Sequence, residues 1–133
     1  MKEVYISIKP EFTHLIETKQ KNYEFRKYFI KDLKTMLVYE SENSCLKYIM
    51  EVGTPVMSPT QIEENGYGND VFNRTDEKKY AYPILHLKRL KKPISLTELR
   101  SKYGFKAPQK YTMVDTYPKL KKALENIEIE EIY

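Results

Sequence analysis

Apolar and polar residues alternate from Val4 to Ile8, and this two-residue period predicts a first strand. Pro10 follows, and proline suits the first turn of a helix because its missing N–H would be unpaired there anyway. After Pro10 the apolar residues recur at the i, i+3 and i+4 spacing of a short amphipathic helix, which we expect to end near Lys19. The chain therefore opens with a strand and a helix.

Three further strands are predicted before the middle of the chain. Alternation over about Asn22–Tyr28 predicts the second strand. The continuous apolar run within Thr35–Glu40 predicts a third strand that is buried on both faces. Cys45–Gly53 is predicted as a fourth strand, and the Ser-Glu-Asn-Ser turn before it would join the last two strands in a hairpin.

The next segment is predicted to hold two short helices and a strand. The sequence Ser-Pro-Thr-Gln from Ser58 combines a capping serine, a first-turn proline and a glutamine that can close a capping box, so it predicts a helix start. Residues 70–80 are predicted as a second short helix. Residues 80–90 read as a fifth strand, in which Pro83 indicates an edge position or a bulge.

The clearest helix signal lies near the end of the chain. Ser95 and Glu98 form a capping box, which predicts a helix over Leu96–Tyr103 that stops at Gly104. An extended segment then leads to a final helix over 117–127 and an acidic tail, either frayed or a short strand. Strands and helices mixed in this order favour an α+β fold: a small mixed β-barrel with short helices packed outside.

Length and composition are typical of one small protein domain. The chain has 133 residues, which fits a single domain over residues 1–133. Cys45 is the only cysteine, so no internal disulfide is possible and a reducing compartment is expected. No apolar run approaches the ~20 residues of a membrane span, and the first residues enter a strand pattern rather than a signal peptide. We expect a soluble, cytoplasmic protein with no membrane partner; a monomer is expected, although an oligomer is not excluded.

The charge pattern suggests a polyanionic partner. The net charge is +4, and the basic run Lys88–Lys92 contrasts with an acidic tail. Basic surfaces attract polyanions through electrostatic steering and counterion release. The run would supply a patch that tracks a nucleic-acid backbone, or it is an ordinary solvated strand end. Twelve tyrosines and no tryptophan add rings that suit both cores and base stacking.

Metal and cofactor chemistry is not indicated. His14, His86 and Cys45 stand apart from one another, whereas a metal site needs ligands clustered at defined spacings. The four glycines form neither a phosphate-binding loop nor a dinucleotide fingerprint. We therefore expect no metal and no cofactor.

One charged cluster has the composition of a site. On a strand, Glu24 and Arg26 point to one face while Tyr23 and Phe25 point to the other, where they can join the core. Lys21 precedes the strand and can lean over the charged face. Arginine can fork onto a carboxylate or phosphate, and a partly desolvated lysine can act as a base or nucleophile. The alternative interpretation is an ordinary surface ion pair.

The sequence around this cluster resembles the motif of the ASCH domain family, written G-x-K-x-x-E-x-R. Lys21, Glu24 and Arg26 fall on its lysine, glutamate and arginine, and Lys19 stands where the motif has glycine. The segments on either side, from the first strand to about Thr112, resemble the family's strands and helices in the same order. The resemblance implies a PUA-like β-barrel with the motif in a cleft beside it, and recognition of RNA or a nucleotide.

The resemblance also leaves catalysis open. Some small members of the family hydrolyse acylated cytidine, and others are described as nucleases. The amidohydrolase members share Lys21 but carry threonine where this chain has Glu24. A hydrolase acting on a modified nucleoside or on RNA would use Lys21 as base or nucleophile and Glu24 as proton shuttle. A third alternative is a protein-interaction domain.

The leading hypothesis is an RNA- or nucleotide-binding module. Lys21 and Arg26 would hold a phosphate or a base edge, Glu24 would accept hydrogen bonds from a base amino group, and Tyr39 or Tyr23 would stack on a base. The candidate ligand-binding residues are Lys9, Lys19, Lys21, Glu24, Arg26 and Tyr39.

Overall fold

Eight strands and four α-helices form the fold in the computed structural model, which describes residues 2–133. The strands are β1 (Lys2–Ile8), β2 (Tyr23–Arg26), β3 (Leu33–Glu40), β4 (Cys45–Val52), β5 (Val56–Met57), β6 (Tyr80–Ser95), β7 (Thr112–Met113) and β8 (Ile129–Glu131). The helices are α1 (Pro10–Glu17), α2 (Asn69–Arg74), α3 (Leu96–Tyr103) and α4 (Pro118–Leu124), with a short 3-10 helix at Val114–Thr116.

The strands form one curled mixed sheet that makes a half-barrel with the short helices around it. Its order is β2-β6-β4-β3-β1-β7, and β5 and β8 also pair with β6. β1 and β3 are parallel because α1 and β2 intervene and return the chain, whereas the other pairs are antiparallel. The predicted α+β fold with a small mixed barrel and outer helices is confirmed.

The sixteen-residue strand β6 connects the two parts of the sheet. Its first residues pair with β2 and β5, and the rest pair with β4 and β8. Pro83 lies at this change of partner: it stands opposite Tyr23, and the next residue, Ile84, pairs with Val52 beside an irregularity in the β4–β6 register. The sequence predicted either an edge position or a bulge at Pro83, and the structure has a register irregularity next to it.

Both faces of the central sheet are buried. On β3, Met36 and Val38 belong to one apolar cluster, while Leu37 and Tyr39 belong to a second on the opposite face. α1 contributes to the first cluster, whereas α3 and α4 contribute to the second. The prediction that the third strand is buried on both faces is confirmed.

Helix α3 begins and ends where its local sequence predicts. The Ser95 side chain accepts a hydrogen bond from the Glu98 backbone N–H, 3.2 Å away. At the other end Gly104 adopts a φ of 66°, the left-handed conformation that glycine reaches without a Cβ clash. The cap and the glycine both act within one helical turn, so local sequence is sufficient to set the bounds.

The helix predicted at Ser58 is wrong. Val56–Met57 form β5, and Ser58 continues the pairing toward the start of β6 through a hydrogen bond from its N–H to the Lys79 carbonyl. The Ser58 hydroxyl donates to the Glu77 carbonyl and accepts from the Lys79 N–H, so it is not available as a helix cap. Pairing with a distant segment outweighs the local capping pattern here. A helix does form at Asn69–Arg74, within the region predicted for the second one.

The acidic tail is a strand that covers part of the basic run. β8 pairs with residues 88–90 of β6, which places Glu130 opposite Arg89 and Glu131 opposite Lys88. Arg89 contacts the Glu130 carboxylate at 2.5 Å and that of Glu17 at 2.6 Å. The run Lys88–Lys92 is therefore partly neutralised by the tail, which weakens the prediction that it tracks a nucleic-acid backbone. Within residues 2–133, every helix is too short or too polar to cross a membrane.

Replacing Ser95 by alanine should destabilise the protein by about 1 kcal/mol, because the Glu98 N–H loses its capping acceptor. Urea unfolding of Ser95→Ala measures this loss. Ser101→Ala is the matched control, since Ser101 lies inside the same helix and should tolerate alanine. Equal midpoints for the two variants would contradict the assignment of the cap.

Candidate functional site

A tight turn between α1 and β2 sets the start of the site. The N–H groups of Gln20 and Lys21 both donate to the Leu15 carbonyl, and Lys19 adopts a left-handed φ of 64°. That conformation is easy for glycine and costs other residues energy, which accounts for glycine at this position of the motif that the chain resembles. The turn therefore forms here with lysine in the glycine's place.

Three charged side chains of the motif meet at the end of this turn. The Lys21 Nζ lies 3.5 Å from one oxygen of the Glu24 carboxylate, and Arg26 donates to the other oxygen at 2.7 Å. Lys21 and Glu24 are buried, with 5% and 6% of their surface exposed. Arg26 also donates to the Ser7 carbonyl at 3.1 Å, which ties β2 to β1. We call Lys21, Glu24 and Arg26 the charged triad.

Burial shifts the proton affinity of the triad's cations. Burial lowers the pKa of Lys21, and the nearby Glu24 only partly opposes this effect. For Arg26, burial also acts to lower the pKa, but the charges of Glu24 and Tyr28 outweigh it and the net pKa is raised. Of the two cations, Lys21 is therefore the one that more readily gives up its proton, while Arg26 stays a fixed cation.

The triad lines a cleft with a volume of about 390 Å³. The cleft lies where β1 ends and α1 begins, so one side consists of backbone and side chains from these two elements. Its lining residues are Ser7, Ile8, Lys9, Phe12, Lys21, Glu24, Phe25, Arg26 and Tyr67. Charged groups and aromatic rings thus face the same space, a composition common in ligand sites.

An aromatic residue that was not predicted stands over this cleft. Tyr67 is 52% exposed, and its ring centroid lies 5.9 Å from that of Phe12. Its N–H donates to the Gln20 carbonyl at 2.7 Å, so the motif turn holds it in place. Two glycines flank Tyr67 in the sequence, and an aromatic residue in such a loop is the signal that could have identified it.

An asparagine network fixes the loop that carries Tyr67. The Asn69 side chain donates to the side chain of Asn22 and to the Glu63 carbonyl, and Asn22 donates to Asn65. Gly66 passes so close that an added Cβ would lie 2.3 Å from the Asn22 oxygen. Asn22 belongs to the motif segment, so the loop and the triad share one anchor.

The structure brings together four of the six predicted ligand-binding residues. Lys9, Lys21, Glu24 and Arg26 all line the cleft, with Lys9 exposed at the cap of α1. The other two predicted residues, Lys19 and Tyr39, do not line it.

Lys19 and Tyr39 are directed elsewhere by the fold. The left-handed turn sends the Lys19 ammonium over the Tyr133 ring, 4.8 Å from its centroid. Tyr39 lies on β3, a strand buried on both faces, where it is 3% exposed and packs against Phe105. We correct both placements: neither residue faces the cleft.

The predicted split of β2 into a charged and an aromatic face holds for Tyr23, whereas Phe25 packs in the apolar cluster and also borders the charged cleft. Tyr23 and Phe25 pack against a small apolar cluster of Ile62, Phe72 and Ala81. The Phe25 ring also lies 4.5 Å from the Lys21 ammonium and forms part of the cleft floor. Tyr23, which was considered for base stacking, does not line the cleft. Over residues 2–133 no group of three or more His, Cys, Asp or Glu side chains is placed to hold a metal ion.

Removing the triad's carboxylate should destabilise the protein far more than removing one cation. Glu24→Gln leaves Lys21 and Arg26 buried without a counter-charge and should cost about 3–5 kcal/mol of unfolding free energy. Lys21→Met leaves the 2.7 Å contact between Glu24 and Arg26 and removes a buried charge, so its effect should be small. Urea unfolding of both variants tests the difference, and similar losses would contradict it.

The chain is similar to known proteins at the level of three-dimensional structure. No family model and no curated protein sequence matches the chain. Among solved structures, the crystal structure of ASCH from Zymomonas mobilis superimposes with a TM-score of 0.70 at 20% identity, covering 96% of this chain and 96% of that one. A serine-to-alanine and a tyrosine-to-phenylalanine mutant of the same protein each give a TM-score of 0.74 at 18% identity. Each covers 96% of this chain, and the alignments span 97% and 100% of the respective mutant chains.

The likeness covers nearly the whole chain on both sides, so it concerns the complete arrangement of strands and helices. At 18–20% sequence identity, this likeness shows that the two proteins share a fold. It agrees with the curled mixed sheet, the outer helices and the resemblance noted in the sequence. The chain therefore has the α+β fold of the ASCH protein from Zymomonas mobilis.

Proposed function

We propose that the cleft binds RNA or a nucleotide, as an ASCH-type recognition module. The observation that carries this proposal is the charged triad: Lys21 and Glu24 are buried, yet the triad opens onto a cleft that also holds the exposed ring of Tyr67 and the half-buried ring of Phe12. Buried charges are costly, and perturbed charged groups in a cleft are typical of functional sites. The ASCH fold of the structural neighbours supports the same broad class.

The polar groups of the cleft suit a phosphate or a base edge. The Lys21 ammonium has three N–H donors, and its contact with Glu24 can use one of them. The buried Nε of Arg26 has no hydrogen-bond partner within residues 2–133. Each Glu24 oxygen keeps a lone pair beyond its contact with a cation, so the carboxylate can accept from a base amino group. The site thus offers both donors and acceptors.

The rings of the cleft suit stacking on a base. Phe12 and Tyr67 lie side by side at the mouth, and base–aromatic stacking contributes about 1–3 kcal/mol per base. They take the stacking role that the sequence suggested for Tyr39 or Tyr23. Lys9 lies exposed beside them and, among the described residues, pairs with no carboxylate. A nucleotide entering the cleft would therefore meet a ring and a cation together.

Truncating Tyr67 should weaken binding of fluorescein-labelled RNA oligonucleotides by roughly 10- to 100-fold, because the stacking ring is lost. Tyr67→Phe is the matched control and should retain most of the affinity. Lys21→Met should also weaken binding and reduce its dependence on salt. Fluorescence anisotropy measures all three variants. RNA affinities equal to wild type for both Tyr67→Ala and Lys21→Met would refute the proposal.

A second candidate function is hydrolysis of an acylated nucleoside or of RNA. The observation that favours it is the 3.5 Å contact between Glu24 and Lys21. Burial lowers the pKa of Lys21, so the lysine loses its proton more easily than an exposed one. In its neutral form Lys21 could take a proton from a water molecule whose oxygen attacks the acyl carbon or the phosphorus. Glu24 would pass that proton to the leaving nitrogen or oxygen as its bond to the acyl carbon or phosphorus breaks. The wild-type pairing of Glu24 with Arg26 would keep the carboxylate oriented during this transfer.

Turnover of an N4-acylated cytidine and of labelled RNA should then disappear in Lys21→Met. Because neutral Lys21 is the active form, kcat/KM should rise with pH through the lysine's lowered pKa and level off below the range of an ordinary lysine. Lys102→Met, at an exposed lysine on α3, is the control. Turnover that is absent in wild type, or unchanged in Lys21→Met, would exclude this second function.

A further inference from the structure

A second cavity adjoins the cleft on the other side of Arg26. Its volume is about 450 Å³, and it opens between the end of β2 and the segment before β7. It is lined by Phe25, Arg26, Lys27, Tyr28, Lys79, Gln109 and Lys110. Phe25 and Arg26 line both cavities, so the two form one groove that passes over Arg26. We call this second cavity the lysine subsite.

The lysine subsite is lined by cations and contains no lining carboxylate. Lys27 and Lys79 share the carboxylate of Glu77, but at 3.9 and 4.0 Å these are loose contacts. Among the described residues Lys110 pairs with no carboxylate and lies over the Tyr28 ring, 5.3 Å from its centroid. Loose surface pairs contribute little stability, so an anion can replace them at small cost.

The wall that carries Lys110 is held in place by specific contacts. The Tyr28 hydroxyl donates to the Lys110 carbonyl at 3.0 Å, and the Tyr28 and Tyr111 rings pack with centroids 4.9 Å apart. Two residues before Lys110, the Pro108 carbonyl accepts a hydrogen bond from the Ser7 hydroxyl at 2.6 Å. Ser7 also holds Arg26 through its own carbonyl, so the two cavities are fixed to the same residue of β1.

We propose that this groove binds a single-stranded polynucleotide, with one base in the cleft and the neighbouring nucleotide in the lysine subsite. Lys27, Lys79 and Lys110 contact the backbone phosphates on the far side of Arg26, and the Tyr28 ring supports the second sugar or base. The inference rests on the proposed binding function of the cleft and makes it more specific. The physiological ligand is then a strand rather than a single nucleotide.

The chemistry of the subsite favours a polynucleotide over other polyanions. Cations that alternate with aromatic rings along a groove match a chain in which phosphates alternate with bases. An acidic peptide would satisfy the lysines but would leave the rings of Phe12 and Tyr67 in the adjoining cleft without a planar partner. RNA and DNA strands share the phosphate spacing, so the lysine subsite should serve both, and selection between them falls to the cleft.

The test compares ligands of different length. The probes are fluorescein-labelled homotetramers of A, C and U, each as RNA and as DNA, with the matching 5′-monophosphates as competitors. Wild type should bind its preferred tetramer at least about tenfold more tightly than the monophosphate of the same base. Lys27→Gln combined with Lys110→Gln should remove most of that advantage and leave monophosphate binding unchanged. It should also reduce the slope of log K against log salt by about 1.4, at ~0.7 for each phosphate contact on a single strand.

The control removes the same charge elsewhere. Lys102→Gln combined with Lys119→Gln changes two exposed lysines that line a different cavity, and tetramer binding should not change by more than the general effect of net charge. If wild type binds monophosphate and tetramer equally, or the two double variants behave alike, the lysine subsite is refuted while the cleft's function stands. If no nucleotide probe binds, or if Tyr67→Ala and Lys21→Met leave the affinities unchanged, the proposed function is refuted and the lysine subsite with it.

Discussion

The Glu24 carboxylate is the charge on which the site depends. It lies between the buried Lys21 and the half-buried Arg26, and it supplies the counter-charge that both need away from water. Through Arg26 it also stabilises the contact between β2 and the end of β1, because the same guanidinium donates to the Ser7 carbonyl. One carboxylate therefore serves both the charge balance of the cleft and the joining of two strands. A cleft whose charges are already paired in this way would need little further ordering to bind the proposed ligand.

The parts of this fold that sequence alone could predict are those set by near neighbours. Ser95 and Gly104 bound α3 because a cap and a left-handed residue act within one turn of the helix. The alternation in β2 separated Glu24 and Arg26 from Tyr23 and Phe25 because side-chain direction in a strand depends only on position. For the same reason the charged triad could be identified from its spacing and from its resemblance to a known motif. The cleft itself was then an implication of that resemblance.

The remaining features depend on contacts between distant segments. Ser58 carries a good helix signal, yet pairing with the residues before β6 claims its hydroxyl. Tyr39 could stack on a ligand in principle, but the sheet is covered on both faces and buries it. Tyr67 reaches the cleft because asparagines far apart in the chain bind one another. No local pattern encodes such long-range partners, which is why the sequence pointed to Tyr39 or Tyr23 as the stacking ring and missed Tyr67.

The C-terminal segment has a consequence for the order in which the protein folds. The Tyr133 hydroxyl donates to the Ile16 carbonyl, its ring lies beneath Lys19, and its backbone pairs with Leu87. The contacts with Ile16 and Lys19 join residues separated by more than a hundred positions, and closing so long a loop is entropically costly and slow. The end of α1 and the turn that leads into the motif have their own local hydrogen bonds, and the tail adds long-range contacts to them when it joins the sheet. The entrance to the cleft therefore gains its last supporting contacts when the tail pairs with β6, and it would lose them again when the tail detaches.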